Sequence, residues 1–571
     1  MSLPAIAQYG VFLLIIFLLV KPVGGYLARV FAGEKTFLDP VMRPLERIIY
    51  KLIGIDPQCE MNGKQYAIAF ILFSLIGTLL LYLILRWQQF LPWYDPVYLT
   101  TPLTPDLSIN TAISFATTTT WQAYSGETTM SYFTQIAGLT TQNFLAGAAG
   151  LAVGIAFIRG FARQHTTNLG NFWVDLVRAV LWVLLPLSIL TSLILVWQGV
   201  PMNFNPYTQL TTLEGGLQSI AQGPVAALES IKNLGTNGGG FFNVNGAHPY
   251  ENPTPFTNLI EMLCIVVLPA ALTNTFGRMV GRPREGWLLF WVMVVLFASG
   301  LALCGWAEQS GNPVIAPYVA VNQPMGNMEG KEVRFGIGSS VLTAITTSNG
   351  ATGSYNSMHD SYTPLGGIIP LVNMLLGEII FGGLGTGIYS IIMVVLLGLF
   401  LTGLMIGRTP EYLGKKIDPS EMKLLGLYTI IGPIGVLVLT ALAVGTAFGL
   451  AGLTTNAGPH GLTEIIYAYA SSFANNGQNF AGLSANSPFY NITTALTMLL
   501  GRFGLAISAL VLAGLFAKQT SRPMTAGKLR TDSLLFAMVI IGTAIIVVAL
   551  TYLPVLALGP IVEHLLMIAH H

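Results

Sequence analysis

Four short, uncharged patches rich in Gly, Asn and Thr recur along this chain, each lying between two long apolar runs. They are Thr-Thr-Thr-Thr-Trp-Gln at 117–122, Gly-Thr-Asn-Gly-Gly-Gly at 235–240, Thr-Ser-Asn-Gly-Ala at 347–351 and Asn-Asn-Gly-Gln-Asn at 475–479. Irregular backbone at membrane depth is tolerated only when it is buried in protein or lines a water-filled cavity. A polar, Gly-bearing dip between two membrane helices is also how a cation selectivity filter is built, with backbone carbonyls replacing the ion's water shell. An ordinary exterior turn would explain one such patch, but not four at equivalent places. The pattern points to a pseudo-four-fold pore made by one chain without oligomerisation.

Composition forces the membrane reading. The 571 residues are 53% hydrophobic and 9% charged, with a mean hydropathy of +0.65. A soluble protein carries about 25% charged residues, so too few charges are present to cover a water-exposed surface. A net charge of +1 and the lack of a basic patch argue against a nucleic-acid partner. Cys59, Cys264 and Cys304 fit neither a disulfide framework nor a metal cluster. The chain start has no basic segment and no small-residue cleavage pattern, so the first apolar run is expected to be a retained helix.

A span needs about 20 mostly apolar residues. Ten candidates follow: 4–30, 65–90, 130–158, 173–197, 257–277, 286–305, 365–406, 424–450, 490–517 and 533–557. The seventh is too long for one span, and Gly382, Gly383, Gly385 and Gly387 sit in its middle. Each Gly weakens a helix by about 1 kcal/mol, so a broken or unwound helix is expected there. Of the 26 Lys and Arg residues, 20 fall in one set of loops, and only Lys232, Lys331 and Arg334 fall in the opposite set. The positive-inside rule makes the first set cytoplasmic. Both termini are then outside, and all four patches open to the exterior. The exterior loops carry eleven acidic residues. These either concentrate cations at a pore mouth or are simply the solubilising residues left once bases are excluded.

Without the first and last spans, the chain is four copies of helix, re-entrant segment and helix. The re-entrant segments are about 108–120, 219–237, 338–349 and 463–475. The C-terminal end of each half-span helix would aim the negative end of its dipole at the pore axis, which suits a cation. The expected fold is therefore an all-α polytopic membrane protein of ten transmembrane helices with four pseudo-repeated helix–pore-loop–helix hairpins. Its divisions are 1–64 (first helix and cytoplasmic loop), pore repeats at 65–158, 159–285, 286–423 and 424–517, and 518–571 (tenth helix and tail). Carbonyls, amides and hydroxyls offer weaker fields than carboxylates and suit a large monovalent cation. Gly serves where positive φ must aim carbonyls inward.

At these residues the chain resembles the potassium-binding A subunits of the bacterial Kdp potassium-transporting ATPases. The resemblance runs over essentially the whole length. Its specific stretches are 120–127, 234–243, Gly377-Glu378 with the glycine cluster after it, and Gly-Arg-Thr-Pro-Glu-Tyr-Leu-Gly-Lys-Lys-Ile at 407–417. The resemblance implies a potassium filter at Thr118, Thr119, Thr236, Asn237, Gly238, Ser348, Asn349, Gly350, Asn475, Asn476 and Gly477. It matches Gln122 to a glutamine whose replacement weakens potassium affinity. It also implies a P-type ATPase B subunit that uses Mg-ATP, a C subunit, a small F peptide, and a tunnel leading potassium sideways into the B subunit. The bacterial inner membrane is the implied location, and potassium is the only bound cofactor expected here. The chain departs from the family pattern at Thr118 and Thr120, where Asn is expected, and at Asn349, where Cys is expected. Residues 351–357 look like an insertion outside the filter.

Two charges fall inside apolar spans, Glu378 beside the glycine cluster and Arg502 in span nine. Intramembrane ionisable groups are functional candidates. The two are expected to pair beneath the filter and close the straight route, turning ions toward spans seven and nine, with Gly382, Gly383 and Gly385 supplying the unwound backbone. A purely structural salt bridge is the alternative. Lys21 and Glu261 lie near span ends and can snorkel. Arg408, Lys415 and Lys416 form a basic loop that would dock an ATPase partner or anionic lipid, unless it is merely a positive-inside loop. No histidine shows metal-ligand spacing.

The chain has no nucleotide-binding loop, no Asp-Lys-Thr-Gly phosphorylation motif and no sizeable soluble domain. It is therefore not an enzyme by itself, and energy must come from a partner or an ion gradient. The expected function is the potassium-binding and translocating subunit of an ATP-driven uptake pump. The alternative is a stand-alone four-hairpin potassium channel or symporter. A lipid enzyme would need acid and histidine clusters at the membrane surface, and the sequence offers none.

Overall fold

The computed structural model describes residues 3–315, 326–407, 409–521 and 530–569. Among these, ten helices are long and apolar enough to cross a membrane: Leu3–Ala32, Gly63–Phe90, Thr134–Ala162, Phe172–Trp197, Pro255–Met279, Pro283–Gln309, Thr386–Met405, Pro419–Val444, Pro488–Lys518 and Leu534–Ala569. Polar N-caps fix where several begin. Asn62 and Thr254 each close a capping box, with Gln65 and Thr257, and Ser487 and Ser533 accept from the N–H groups of Tyr490 and Phe536. Each such cap satisfies helix-end donors that have no partner within the helix.

Spans three and five form the centre. The most apolar stretch of span three is 89% buried, against 28% for spans one, two, eight and ten. Small residues let the central helices approach closely. At Gly24 of span one a Cβ would lie 2.6 Å from the Ala271 carbonyl of span five. Span three is tied to span four by a buried ion pair, Arg159 to Asp175 at 2.5 Å, and Asp175 also accepts from the Tyr66 hydroxyl at 3.0 Å.

Between paired spans lie four short helices: Pro105–Ala116, Val225–Leu234, Gly336–Asn349 and Gly458–Phe473. They hold 10 to 16 residues, roughly 15–24 Å at 1.5 Å per residue, too short to cross a core about 30 Å thick. The seventh apolar run is broken as its glycines predict. Pro364–Leu375 stops, the chain turns through residues 376–385, and Thr386–Ile406 resumes. Four residues of that turn are left-handed: Gly377, Glu378, Phe381 and Gly385.

Two elements differ from expectation. The loop after span one contains a helix, Asp39–Ile53, with Leu45, Ile48 and Leu52 exposed on it. The tenth span continues to Ala569, past 557, by kinking at Gly559 (φ −92°, ψ −106°). Among the described residues three two-stranded sheets complete the fold: Met61–Asn62 with Asn168–Gly170, Thr208–Thr211 with Leu217–Ile220, and Glu411–Tyr412 with Lys415–Lys416.

Candidate functional site

Each short helix runs into an extended strand through one repeated backbone device. A left-handed residue follows the helix: Thr118, Thr236, Ala351 and Asn475, with φ of 63°, 49°, 48° and 48°. The N–H of the next residue then bonds back to a carbonyl in the last helical turn. These bonds are Thr119 to Ser114 (3.0 Å), Asn237 to Lys232 (2.9 Å), Thr352 to Thr347 (3.2 Å) and Asn476 to Ser471 (2.9 Å). Every one spans five residues, so the four strands are in register by hydrogen bonding, whatever their side chains.

That register corrects the third strand. Ser348 and Asn349 lie within the helix Gly336–Asn349, and Gly350 caps it. Nothing in Thr347-Ser348-Asn349 stops the helix, so the strand begins at Ala351, and residues 351–353 stand where 348–350 were expected. The stretch expected to lie outside the filter therefore supplies the third strand of the ring.

The strands close into a ring in the order one, two, three, four. The Thr120 hydroxyl donates to the Asn237 carbonyl. Gly238 pairs with Gly353, where a Cβ on Gly238 would sit 2.2 Å from the Gly353 nitrogen. A Cβ on Gly353 would sit 2.7 Å from the Gly477 carbonyl carbon, and one on Gly477 1.8 Å from the Thr119 oxygen. Gly238 (φ 82°) and Gly477 (φ 80°) are left-handed as well as crowded, so no side chain fits at either.

Side chains brace the ring from behind. Gln122 accepts from the Gly240 N–H at 2.7 Å and donates to the Gly240 carbonyl at 3.0 Å, which locks strands one and two together at the outer end. Asn475 donates to the Thr119 hydroxyl at 2.9 Å, and Asn476 donates to the Thr347 carbonyl at 3.0 Å, capping the third pore helix. Behind strand two, Lys232 is fully buried between Glu229 (2.8 Å) and Glu251 (2.6 Å). Glu251 also accepts from the Phe242 N–H at 2.8 Å. Glu261 joins this cluster. It is 1% exposed with no hydrogen-bond partner for either oxygen, so it does not snorkel outward as expected.

At one mouth of the ring lies a vestibule of about 700 Å³ lined by Trp121, Gln122, Tyr124, Tyr355, Glu464 and Asn479, among others. At the other end stands Arg502, in a widened turn of span nine, Leu500–Gly504, where hydrogen bonds skip five residues. Such bulges are frequent at functional sites. Arg502 donates to the Thr118 hydroxyl at 3.1 Å and to the Ala146 carbonyl at 3.0 Å. It forms no ion pair with Glu378, contrary to expectation, because strand one and span three hold its guanidinium. Glu378 instead folds back over its own left-handed turn, toward Gly383.

The glycine turn docks directly on the ring and on span three. The Leu384 N–H donates to the Thr236 hydroxyl at 2.7 Å. A Cβ on Gly385 would lie 1.9 Å from the Gly150 carbonyl, one on Gly154 would lie 2.7 Å from Gly385 Cα, and one on Gly382 would lie 1.8 Å from the Glu378 carbonyl. A Cβ on Gly383 would meet Ala351 and the Glu378 carboxylate, both at 3.1 Å.

The basic loop does not present three free cations. Lys415 is 1% exposed, and its ammonium donates to the carbonyls of Gly160 (2.9 Å), Arg163 (2.5 Å) and Phe516 (2.8 Å). It caps the ends of spans three and nine, where orphan carbonyls attract a cation. Lys416 is half-buried, with its backbone tied to Gln519. Arg408 lies outside the described residues. The three lone cations of the opposite loops are all paired, Lys232 as above, Lys331 with Glu308 at 2.7 Å and Arg334 with Glu332 at 2.6 Å. Sequence reasoning also passed over His460, which sits on one helix face with Glu464, four residues on, and meets Asp360. The i,i+4 spacing was the available signal.

The comparisons with known proteins agree with this geometry. The family model for the potassium-transporting ATPase A subunit matches residues 10–565. A potassium-transporting ATPase potassium-binding subunit from Methylobacterium nodulans is 52% identical over 99% of this chain and 98% of its own length. One from Mesorhizobium japonicum is 51% identical over 100% and 99%. The potassium transporter TrkH from Vibrio parahaemolyticus has the same fold at 12% identity, with a TM-score of 0.51 over 87% of this chain and 97% of its own. The family match along nearly the whole chain, with relatives about half identical over their full length, places this protein in the family of potassium-transporting ATPase A subunits.

Proposed function

We propose that this chain binds potassium in the four-stranded ring and hands it to a partner that hydrolyses ATP, as the non-catalytic subunit of an uptake pump. The carrying observation is the ring itself: four strands in one hydrogen-bond register, with no carboxylate in 117–122, 235–240, 350–354 or 475–479. The reading is supported by the names of the relatives, which are potassium-binding subunits of potassium-transporting ATPases. The family match includes most of span one and of the tenth helix, the parts that a stand-alone four-hairpin channel would not need.

In this reading the ion ligands are backbone carbonyls near Thr118, Thr119, Thr236, Asn237, Gly238, Ala351, Thr352, Gly353, Asn475, Asn476 and Gly477. Gln122 acts as a brace. Arg502 places a positive charge under the ring and bars the direct path, and the Glu378–Gly385 turn shapes a sideways path. Partners are a P-type ATPase B subunit using Mg-ATP, a C subunit and a small F peptide. The basic ends face the cytoplasm of a bacterial inner membrane, and the vestibule and both termini face the periplasm.

The test is ATP hydrolysis by the purified complex, co-expressed with its ATPase partner, against potassium, rubidium and sodium. Stimulation by potassium at low concentration, weakened at least tenfold by Gly238→Asp, is expected. Hydrolysis indifferent to potassium and to Gly238 would overturn the assignment.

A further inference from the structure

At the lip of the vestibule, three elements distant in sequence bring metal-ligand atoms together. Asp360 comes from the loop after strand three, His460 and Glu464 from one face of the fourth pore helix, and Glu563 from the end of the tenth span. The His460 Nε2, Asp360 and Glu464 donor atoms lie within 4.8 Å of one another. His460 Nε2 is 2.7 Å from Asp360 Oδ1 and 4.0 Å from Glu464 Oε1. Glu464 is 0% exposed, and its Oε2 has no hydrogen-bond partner. Its Oε1 is held by Asn456 Nδ2 at 2.8 Å. The cluster is cradled by Gly482, where a Cβ would fall 2.3 Å from Glu464 Oε1 and 2.7 Å from Asp360 Oδ1. On the far side of the ring, His460 Nδ1 meets Glu563 Oε1 at 2.7 Å.

We propose that His460 Nε2, Asp360 and Glu464 form a binding site for a divalent transition-metal cation such as zinc, with Glu563 orienting the imidazole. One nitrogen and two carboxylates, with a carboxylate behind the histidine, match the ligand set and the outer-shell pattern of zinc sites. Zinc ligands lie about 2.0–2.2 Å from the metal. Asp360 would therefore move slightly away from His460 and Glu464 slightly nearer. Glu464 also lines the vestibule.

Binding exchanges one cation for another. The zinc–nitrogen bond forms where the Nε2 proton was, and that proton leaves to the buffer. A bound metal would also add positive charge at the vestibule lip and oppose potassium entry.

The experiment uses the full complex without an affinity tag, carrying His570→Ala and His571→Ala to remove the terminal histidines as zinc binders. Zinc chloride is titrated, and bound metal is counted after equilibrium dialysis. One zinc per chain and an at least threefold rise in half-saturating potassium are expected. His460→Gln should abolish binding. Glu563→Gln, which can keep its hydrogen bond, should weaken it about 10- to 100-fold. No zinc above background, or binding unchanged by either variant, would overturn the site and leave the cluster as an ion-pair brace.

Discussion

Gly477→Ala isolates what ring geometry contributes to ion binding. Gly477 has φ of 80°, and an added Cβ would sit 1.8 Å from the Thr119 carbonyl oxygen. Real Cβ contacts essentially never fall below 3.0 Å, so the carbonyl must swing away by more than an ångström. The left-handed torsion alone costs about 1–2 kcal/mol. Gly458→Ala carries the same torsional cost, at φ of 65°, with nothing within 4 Å of the new methyl. Both variants carry the torsional loss, but only Gly477→Ala adds a clash and should displace the Thr119 carbonyl. The expected result is a rise of at least tenfold in half-saturating potassium for ATP hydrolysis, about 1.4 kcal/mol, with weaker discrimination against sodium. Gly458→Ala should remain within about twofold of the parent, well below the tenfold that 1.4 kcal/mol represents. Equal potassium dependence in the two variants would refute the claim that the Thr119 carbonyl is a ligand.

Three further outcomes follow from the site. Arg502→Met removes the cation held by Thr118 and Ala146, so passive potassium flux through the complex in vesicles should rise and its coupling to hydrolysis fall. Unchanged leak would leave Arg502 a structural residue. Lys331→Met strands the fully buried Glu308 and should destabilise the fold by about 3–5 kcal/mol. A lower unfolding temperature that Lys331→Met with Glu308→Gln largely restores is the check. His460 is held protonated in the folded state up to about 10, from an ordinary value of 6.5. Its raised value makes its stabilisation complete below pH 6.5 and lost as pH climbs toward 10. Thermal unfolding of the parent should fall more steeply across that window than that of His460→Gln. Parallel slopes would count against the ion-paired imidazolium.

Much of this architecture is written in local chemistry. The ten spans could be read because an apolar run of about 20 residues has one stable fate in a bilayer, and the break in span seven because clustered glycines cannot hold a helix. The third strand could not be placed from its residues. Gly350 looks like a filter glycine, yet it caps a helix that runs on through Ser348 and Asn349. Only the hydrogen bond from Thr352 to Thr347 fixes the strand. Charges misled where tertiary partners decide their fate. Lys415 reads as a loop cation and is buried against three carbonyls, while Glu261 reads as a span-end acid and is buried beside the Lys232 cluster. The helix Asp39–Ile53 was hidden by Pro40 and Pro44, although Leu45, Ile48 and Leu52 keep a helical period.

The four walls of the ring share a backbone trace and almost nothing else. A homotetrameric pore that acquires one substitution acquires it four times, so most changes near its axis are ruinous. Here a change at Thr119 alters one wall and leaves the walls of Asn237, Thr352 and Asn476 as they were. Each quarter can drift under its own selection, with its own brace: a glutamine for one, a buried lysine for another, neighbouring asparagines for the rest. Such a pore can be tuned in small steps and made lopsided.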